Sequence, residues 1–291
     1  MRGFVPHAPD RSIRRTLRAA PVLLLAILFL VLPSSFGWGD NAERMIVDKA
    51  VDTLPDEMLP FFQANRGYLM QHVTDPLEAE TRSPAEQPKG FIQLDHYGSY
   101  PYASLPRTYT AAVEKFGRRQ LTARGVLPWQ IGLFSQKLTD ALRAHDWDDA
   151  KLSAAILAHY VAAAHDPFKS TVNKDGALSD QQGINERFGV GLVDRYQRFF
   201  FLKPNEAAFI RDPTDHAFEM SLDAHSWLEN ILLADRRAHE GLTGYTSEYY
   251  DRFYAQAGAV LIRQLTDAAT DTGSYWMTAW INAGRPPLPG S

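Results

Sequence analysis

Apolar residues recur every three or four positions along most of the chain, and strict alternation of apolar with polar positions is nearly absent. Met45, Ile46, Ala50 and Val51 predict a helix over residues 41–53, closed by Leu54-Pro55, and Met58, Leu59, Phe61 and Phe62 predict a second, shorter one. Residues 72–102 are rich in turn formers and carry Glu78 and Glu80, so they read as a long irregular connection with a solvated acidic face. The helical period resumes over 106–116 and 128–144, where Ile131, Leu133, Phe134, Leu138 and Leu142 give a broad apolar face. Residues 148–165 are rich in alanine, which favours helix and close helix approach, and Pro167 stops them. Three further helices are expected over 187–201, 215–238 and 247–282, with a bend of the last at Thr272-Gly273-Ser274. The pattern predicts one all-α domain without internal repeats or an interdomain linker.

Composition adds that the core is large: 45% of 291 residues are hydrophobic and only 22% charged. With no cysteine, any metal would have to be held by His, Asp, Glu, backbone atoms or a terminal amine. The amino-terminal stretch stands apart. Arg2, Arg11, Arg14, Arg15 and Arg18 precede an apolar run over 19–33 and then "PSSFGWG", the order of a secretory signal. Ser35 and Gly37 are small enough for cleavage before Trp38, giving a signal over 1–37 and a domain over 38–291, in the periplasm or secreted. The alternative is an uncleaved amino-terminal membrane anchor, extended by Phe36. Removing 1–37 takes away five Arg and one Asp, so 30 − 5 = 25 Lys plus Arg face 34 − 1 = 33 Asp plus Glu, a formal charge of −8. An acidic body without a Lys/Arg cluster is not expected to bind duplex nucleic acid. A small phosphate ester, a lipid or a nucleotide remains compatible with that charge.

Several segments, taken in order, resemble the zinc-dependent phospholipase C and S1/P1 nuclease superfamily. They are Trp38-Gly39, "FIQLD" at 91–95, "LPRTY" at 105–109, "GVLPW" at 125–129, "LAHYVAAAHDPFKSTVNKDG" at 157–176, "GINERF" at 183–188 and "WMTAWINAGRPPLP" at 276–289. The resemblance implies a helical domain of phospholipase C/P1 nuclease type, a cleft with three zinc ions and hydrolysis of phosphate esters. It also implies that the terminal Trp38 offers its amine and carbonyl to a metal.

The residues at the implied ligand positions depart from that pattern. Trp38, Glu43, Asp75 and His159 match or can substitute as metal ligands. Gly90, Ala163, Lys169, Asn185 and Gly189 stand where the family has ligands and are poor ligands themselves. A full three-zinc cluster is therefore not expected, and one zinc is the most that the surviving set would hold. The implied function is a non-catalytic exported homologue with a degenerate zinc site and a binding or structural role; the alternative is a divergent zinc-dependent phosphoric ester hydrolase. Catalytic residues cannot be named, because the chain also lacks a phosphate-binding loop, HExxH and GxSxG. Deleting metal while keeping acidic ligands leaves uncompensated charge, so Lys169 is expected to turn inward onto Glu43 or Asp75.

Overall fold

The computed structural model describes residues 37–290 together with Met1 and Gly3. The chain divides into two compact units, Met1–Leu32 and Pro33–Ser291. The expected signal segment lies outside the described residues except for Met1, Gly3 and Gly37. Every regular element of the second unit is helical, and no β-strand occurs among the described residues.

The unit opens with α1 (Asp40–Val51), whose Ala42, Ile46 and Ala50 form a buried stripe four residues apart, joined by Val47 and Val51. α2 (Leu59–His72) follows, and the expected irregular connection is in fact partly helical. It contains α3 (Asp75–Arg82) and 3-10 turns at Gln87–Gly90 and Leu94–Tyr97. Short and charged, α3 carries little helical period in its sequence, yet it buries Pro76, Leu77 and Glu80 on one face. α4 (Tyr109–Phe116) and α5 (Arg118–Ala123) lead into α6 (Leu127–Ala144) and α7 (Trp147–Ala164).

α7 is the central helix. Asp146 caps its amino end by accepting the Asp149 amide at 3.1 Å, and Ala154, Ala155, Ala158, Ala162 and Ala163 are all buried. These small side chains cover one half of the α7 surface and let neighbours approach it closely there. Two indoles bond to its carbonyls, Trp38 Nε1 to Ala162 O at 2.8 Å and Trp276 Nε1 to Ala154 O at 3.0 Å. On one side of α7 the core is built around Phe62 stacked on Trp276; on the other it holds Phe188, Phe253 and Leu261.

The helix expected over 187–201 breaks into α8 (Ile184–Glu186), a π-helical turn at Arg187–Gly191 and α9 (Leu192–Tyr196), ending in an extended segment. Close contact explains the glycines there. A Cβ on Gly189 would lie 2.9 Å from the Gly37 carbonyl oxygen, and one on Gly191 would lie 2.8 Å from the Tyr250 ring. The extended segment finds its backbone partners on the last helix. Amides of Asn205, Ala208 and Ile210 donate to hydroxyls of Thr270, Ser274 and Thr278, which recur every four residues along one helix face.

α10 (Pro213–Ser226) and α11 (Leu228–His239) replace the single helix expected over 215–238. α12 (Ser247–Asn282) runs unbroken through the expected bend. Gly273 is required for a different reason: a Cβ there would overlap the Thr53 hydroxyl where the end of α1 crosses. The phospholipase C/P1 nuclease type attached to the helical reading has to be corrected: the described residues form helices and turns, which do not by themselves specify a family.

Asp271 on α12 ties three elements together. It meets His165 Nε2 at 2.9 Å and His216 Nε2 at 2.8 Å, which joins the end of α7 and α10 to α12. Burial opposes ionisation of Asp271, but the two imidazoles outweigh it and hold its pKa well below the ordinary value. Burial likewise opposes charge on His216, and its bond to Asp271 raises its pKa. Each shift has its own sign. The lowered carboxylate contributes stability above about pH 4, lost as pH falls through its folded value. The raised imidazole contributes stability below about pH 6.5, lost as pH rises through its folded value. Thermal melts of the parent and Asp271→Asn are therefore expected to differ most between about pH 4 and 6.5, with the gap narrowing on either side. A gap independent of pH would remove the clamp.

Candidate functional site

Five ionisable side chains from four stretches of the chain meet beside Gly37. Glu43 comes from α1, Glu80 from α3, His159 from α7, and Asp166 and Lys169 from the 3-10 turn at Pro167–Ser170 and its cap. All five are buried. His159 Nδ1 lies 3.1 Å from both Glu43 oxygens, and its Nε2 approaches Glu80 Oε1 to 3.5 Å. Lys169 Nζ stands 3.9 Å from Glu80 Oε2. Asp166 caps the 3-10 turn through Oδ1, which accepts the Phe168 amide at 2.9 Å.

Glycines and an indole shape this space. A Cβ on Gly90 would overlap the Glu80 carboxylate, so the missing side chain is what lets Glu80 reach inward. Trp38 is 2% exposed, packs on Phe188 at 5.9 Å and is held by its bond to Ala162. Gly37 closes the cluster: a Cβ there would stand 2.7 Å from Lys169 Cε, 3.3 Å from its Nζ and 3.7 Å from Asp166 Oδ2.

The cluster contains three carboxylates and two basic groups. Burial pulls the His159 pKa down, but Glu43 and then Glu80 outweigh it and raise it to about 9, so the imidazole is cationic at neutral pH. Even so, the two cations do not offset the burial of the carboxylates. Burial raises the pKa of Glu43 despite His159 and Lys169, and raises that of Asp166 to about 6 despite Lys169 and the Phe168 amide. Three buried polar atoms of the cluster have no hydrogen-bond partner: Glu80 Oε1, His159 Nε2 and Asp166 Oδ2. An unpaired buried oxygen in an anionic cluster favours one further cationic donor.

The residues singled out in the sequence are distributed as follows. Trp38, Glu43 and His159 come together, but Asp75 does not: it lies at the amino end of α3, half-exposed, bonded to His72 at 2.7 Å. Gly90, Lys169 and Gly189 border the cluster, Gly189 through its contact with Gly37. Ala163 is packed in the core. Asn185 is fully buried and donates to Lys174 O at 3.2 Å, leaving its Oδ1 without a partner. Lys169 does turn inward, but its carboxylate is Glu80, not Glu43 or Asp75, and the separation exceeds hydrogen-bond length. Glu80 and Asp166 were the residues missed. Glu80 stands three positions after Leu77 on the buried face of α3, a helical spacing visible in the sequence once that helix is recognised.

No family model matches this chain, and no curated protein matches it. Among the described residues no group of three or more His, Asp or Glu is arranged to hold a metal ion. The donor atoms explain that: His159 Nδ1 is engaged by Glu43, and Lys169 already sets a cation against Glu80. The resemblance to the phospholipase C/P1 nuclease superfamily, the function drawn from it and the degenerate zinc site are thereby corrected. Its motifs have local explanations. In "GVLPW", Gly125 has a φ of 88° and sits where a Cβ would overlap Phe91 O, Pro128 opens α6, and Trp129 Nε1 donates to Arg107 O at 2.7 Å.

Proposed function

We propose that this chain is the precursor of an exported helical domain completed by processing: cleavage before Trp38 frees an ammonium that joins the buried cluster as its third cation. The observation carrying this reading is Asp166 Oδ2, a buried carboxylate oxygen without a partner, beside Gly37. Gly37 is the residue whose carbonyl carbon holds the Trp38 nitrogen, so one peptide bond separates the present arrangement from a balanced one. The indole, fixed by Ala162 and Phe188, keeps the new terminus in place. Three carboxylates would then face three cations. The compartment follows from the arginine-then-apolar leader and the small residues before Trp38. Among the described residues no helix is long and apolar enough to cross a membrane.

The test compares the chain beginning at Trp38 with the same chain carrying Gly37 ahead of it. The form starting at Trp38 is expected to melt about 2 to 6 °C higher, from roughly 1 to 2 kcal/mol of charge-assisted pairing. Asp166→Asn is expected to erase the difference. The gain needs Asp166 ionised and the terminal amine protonated, so it is expected to be largest near pH 7, fading as pH falls through about 6 and as it rises past about 7.7. Equal midpoints, or a difference that survives Asp166→Asn, would overturn the reading. Export is checked separately: the cell-derived product should begin WGDNAERM, and a stable product retaining 19–33 would favour the membrane anchor.

A further inference from the structure

Away from the cluster, the segment after α9 displays its side chains alternately. Phe200 turns in and lies parallel to the Tyr254 ring at 6.1 Å, and Leu202 is buried. Phe199 and Phe201, between and beside them, are 62% and 81% exposed. Phe199 closes a 3-10 turn over Gln197–Phe199 and Phe200 begins extended backbone, and the change of direction leaves two bare phenyl rings, Phe199 and Phe201, on a strip anchored to α12. Tyr196 strengthens the anchor by stacking on Tyr254 at 4.2 Å.

The same strip carries Arg195, Arg198 and Lys203, all exposed, and no acidic residue between Asp194 and Glu206. Arg198 lies over the Phe199 ring at 4.6 Å, and Arg195 lies over Tyr250 at 3.6 Å while donating to Gly191 O. None of the three cations forms an ion pair among the described residues. A local positive strip on a body of charge −8 is placed for an anionic partner, and phenyl rings without a polar tip suit an apolar environment.

We infer that residues 195–203 form a docking strip for a bilayer containing anionic phospholipid, with Phe199 and Phe201 entering the acyl boundary and Arg195, Arg198 and Lys203 lying at the headgroups. The two rings differ from a stacking platform for bases, since Phe199 is already covered on one side by Arg198. The strip is also fixed in advance by Phe200, Leu202 and Tyr196, so little ordering opposes its insertion. This inference is independent of the maturation proposed above, because it uses none of the cluster residues.

The test uses the chain beginning at Trp38, with the parent and variants compared in the same background. It measures co-sedimentation with vesicles of phosphatidylcholine alone or with about one-third phosphatidylglycerol. The parent is expected to bind the anionic vesicles, to bind neutral ones at least about tenfold more weakly, and to be released by salt. Phe199→Ser with Phe201→Ser, and separately Arg198→Glu with Lys203→Glu, should each weaken binding by about tenfold or more, with unchanged circular dichroism and thermal midpoint. Equal binding of parent and variants would overturn the proposal. So would failure of the parent to bind anionic vesicles, stronger binding to a single-stranded oligonucleotide, or a concentration-dependent dimer abolished by the Phe variants.

Discussion

Replacing Asp235 with alanine is expected to lower the unfolding free energy by about 3 to 5 kcal/mol, the largest loss foreseen for any single substitution in this chain. Asp235, 2% exposed on α11, is the acceptor for most of a buried network. Its Oδ1 accepts from Arg187 Nε at 3.2 Å, from Arg187 Nη2 at 3.0 Å and from the Tyr249 hydroxyl, while Oδ2 accepts from Gln181 Nε2 at 2.6 Å. Without the carboxylate, a guanidinium that is 6% exposed keeps only carbonyls of Gln181 and Gln182, the Tyr249 hydroxyl and the faces of Tyr245 and Tyr249. Arg187 cannot shed its proton to escape, because a guanidinium stays protonated even when buried, and the Asp235 charge that raises its pKa in the parent is then missing. Urea denaturation of Asp235→Ala, Arg187→Met and the double variant checks this. The double variant should lose less than the sum of the two single losses, because the second change removes the group left unpaired by the first. Additive losses would show that the two side chains do not act as a pair.

Lys169→Met tests the candidate site in the same way, with an expected loss of about 3 kcal/mol at neutral pH. The lysine lowers the pKa of both Glu43 and Asp166, and it stands 3.9 Å from Glu80. Methionine preserves the length of the chain but leaves His159 as the only cation of the described cluster. The pKa values of Glu43 and Asp166 then rise further above their unfolded values. A carboxylate raised in the folded state destabilises above its unfolded pKa, and that penalty is relieved as pH falls through its folded value. The deficit of Lys169→Met should therefore be greater at pH 8 than at pH 5, as measured by urea denaturation at both. A loss below about 0.5 kcal/mol would indicate a solvated lysine, and a deficit that grows toward low pH would reverse the assigned electrostatics.

These predictions concern groups of different legibility. Lys169 could be expected to point inward because a buried acidic site needs compensation, but its partner could not be identified from the sequence. The loop reading of 72–102 hid α3, so Glu80 looked solvated, whereas it lies beneath the backbone of Gly90. The family resemblance gave Asp75 a place in the site, although it sits at the surface with His72. The family resemblance failed for a related reason. Short segments rich in Pro, Gly and Trp describe helix starts, tight turns and capped indoles, and "GVLPW" is accounted for by the contacts that Gly125, Pro128 and Trp129 make here.

The sequence alone determined most helices, because the period of buried positions along 41–53, 128–144, 148–165 and 247–282 is a property of neighbouring residues, and it marked Trp38 by its place after an apolar run. Only the tertiary structure decided where helices yield to contact. Gly273 admits Thr53 without bending α12, and Gly189 and Gly191 admit Gly37 and Tyr250 in a π-helical turn. It also decided the cluster, since residues 43, 80, 159, 166 and 169 share no local period. Their meeting depends on which faces of α1, α3 and α7 are turned toward one another, and that is set by packing across more than a hundred positions of chain.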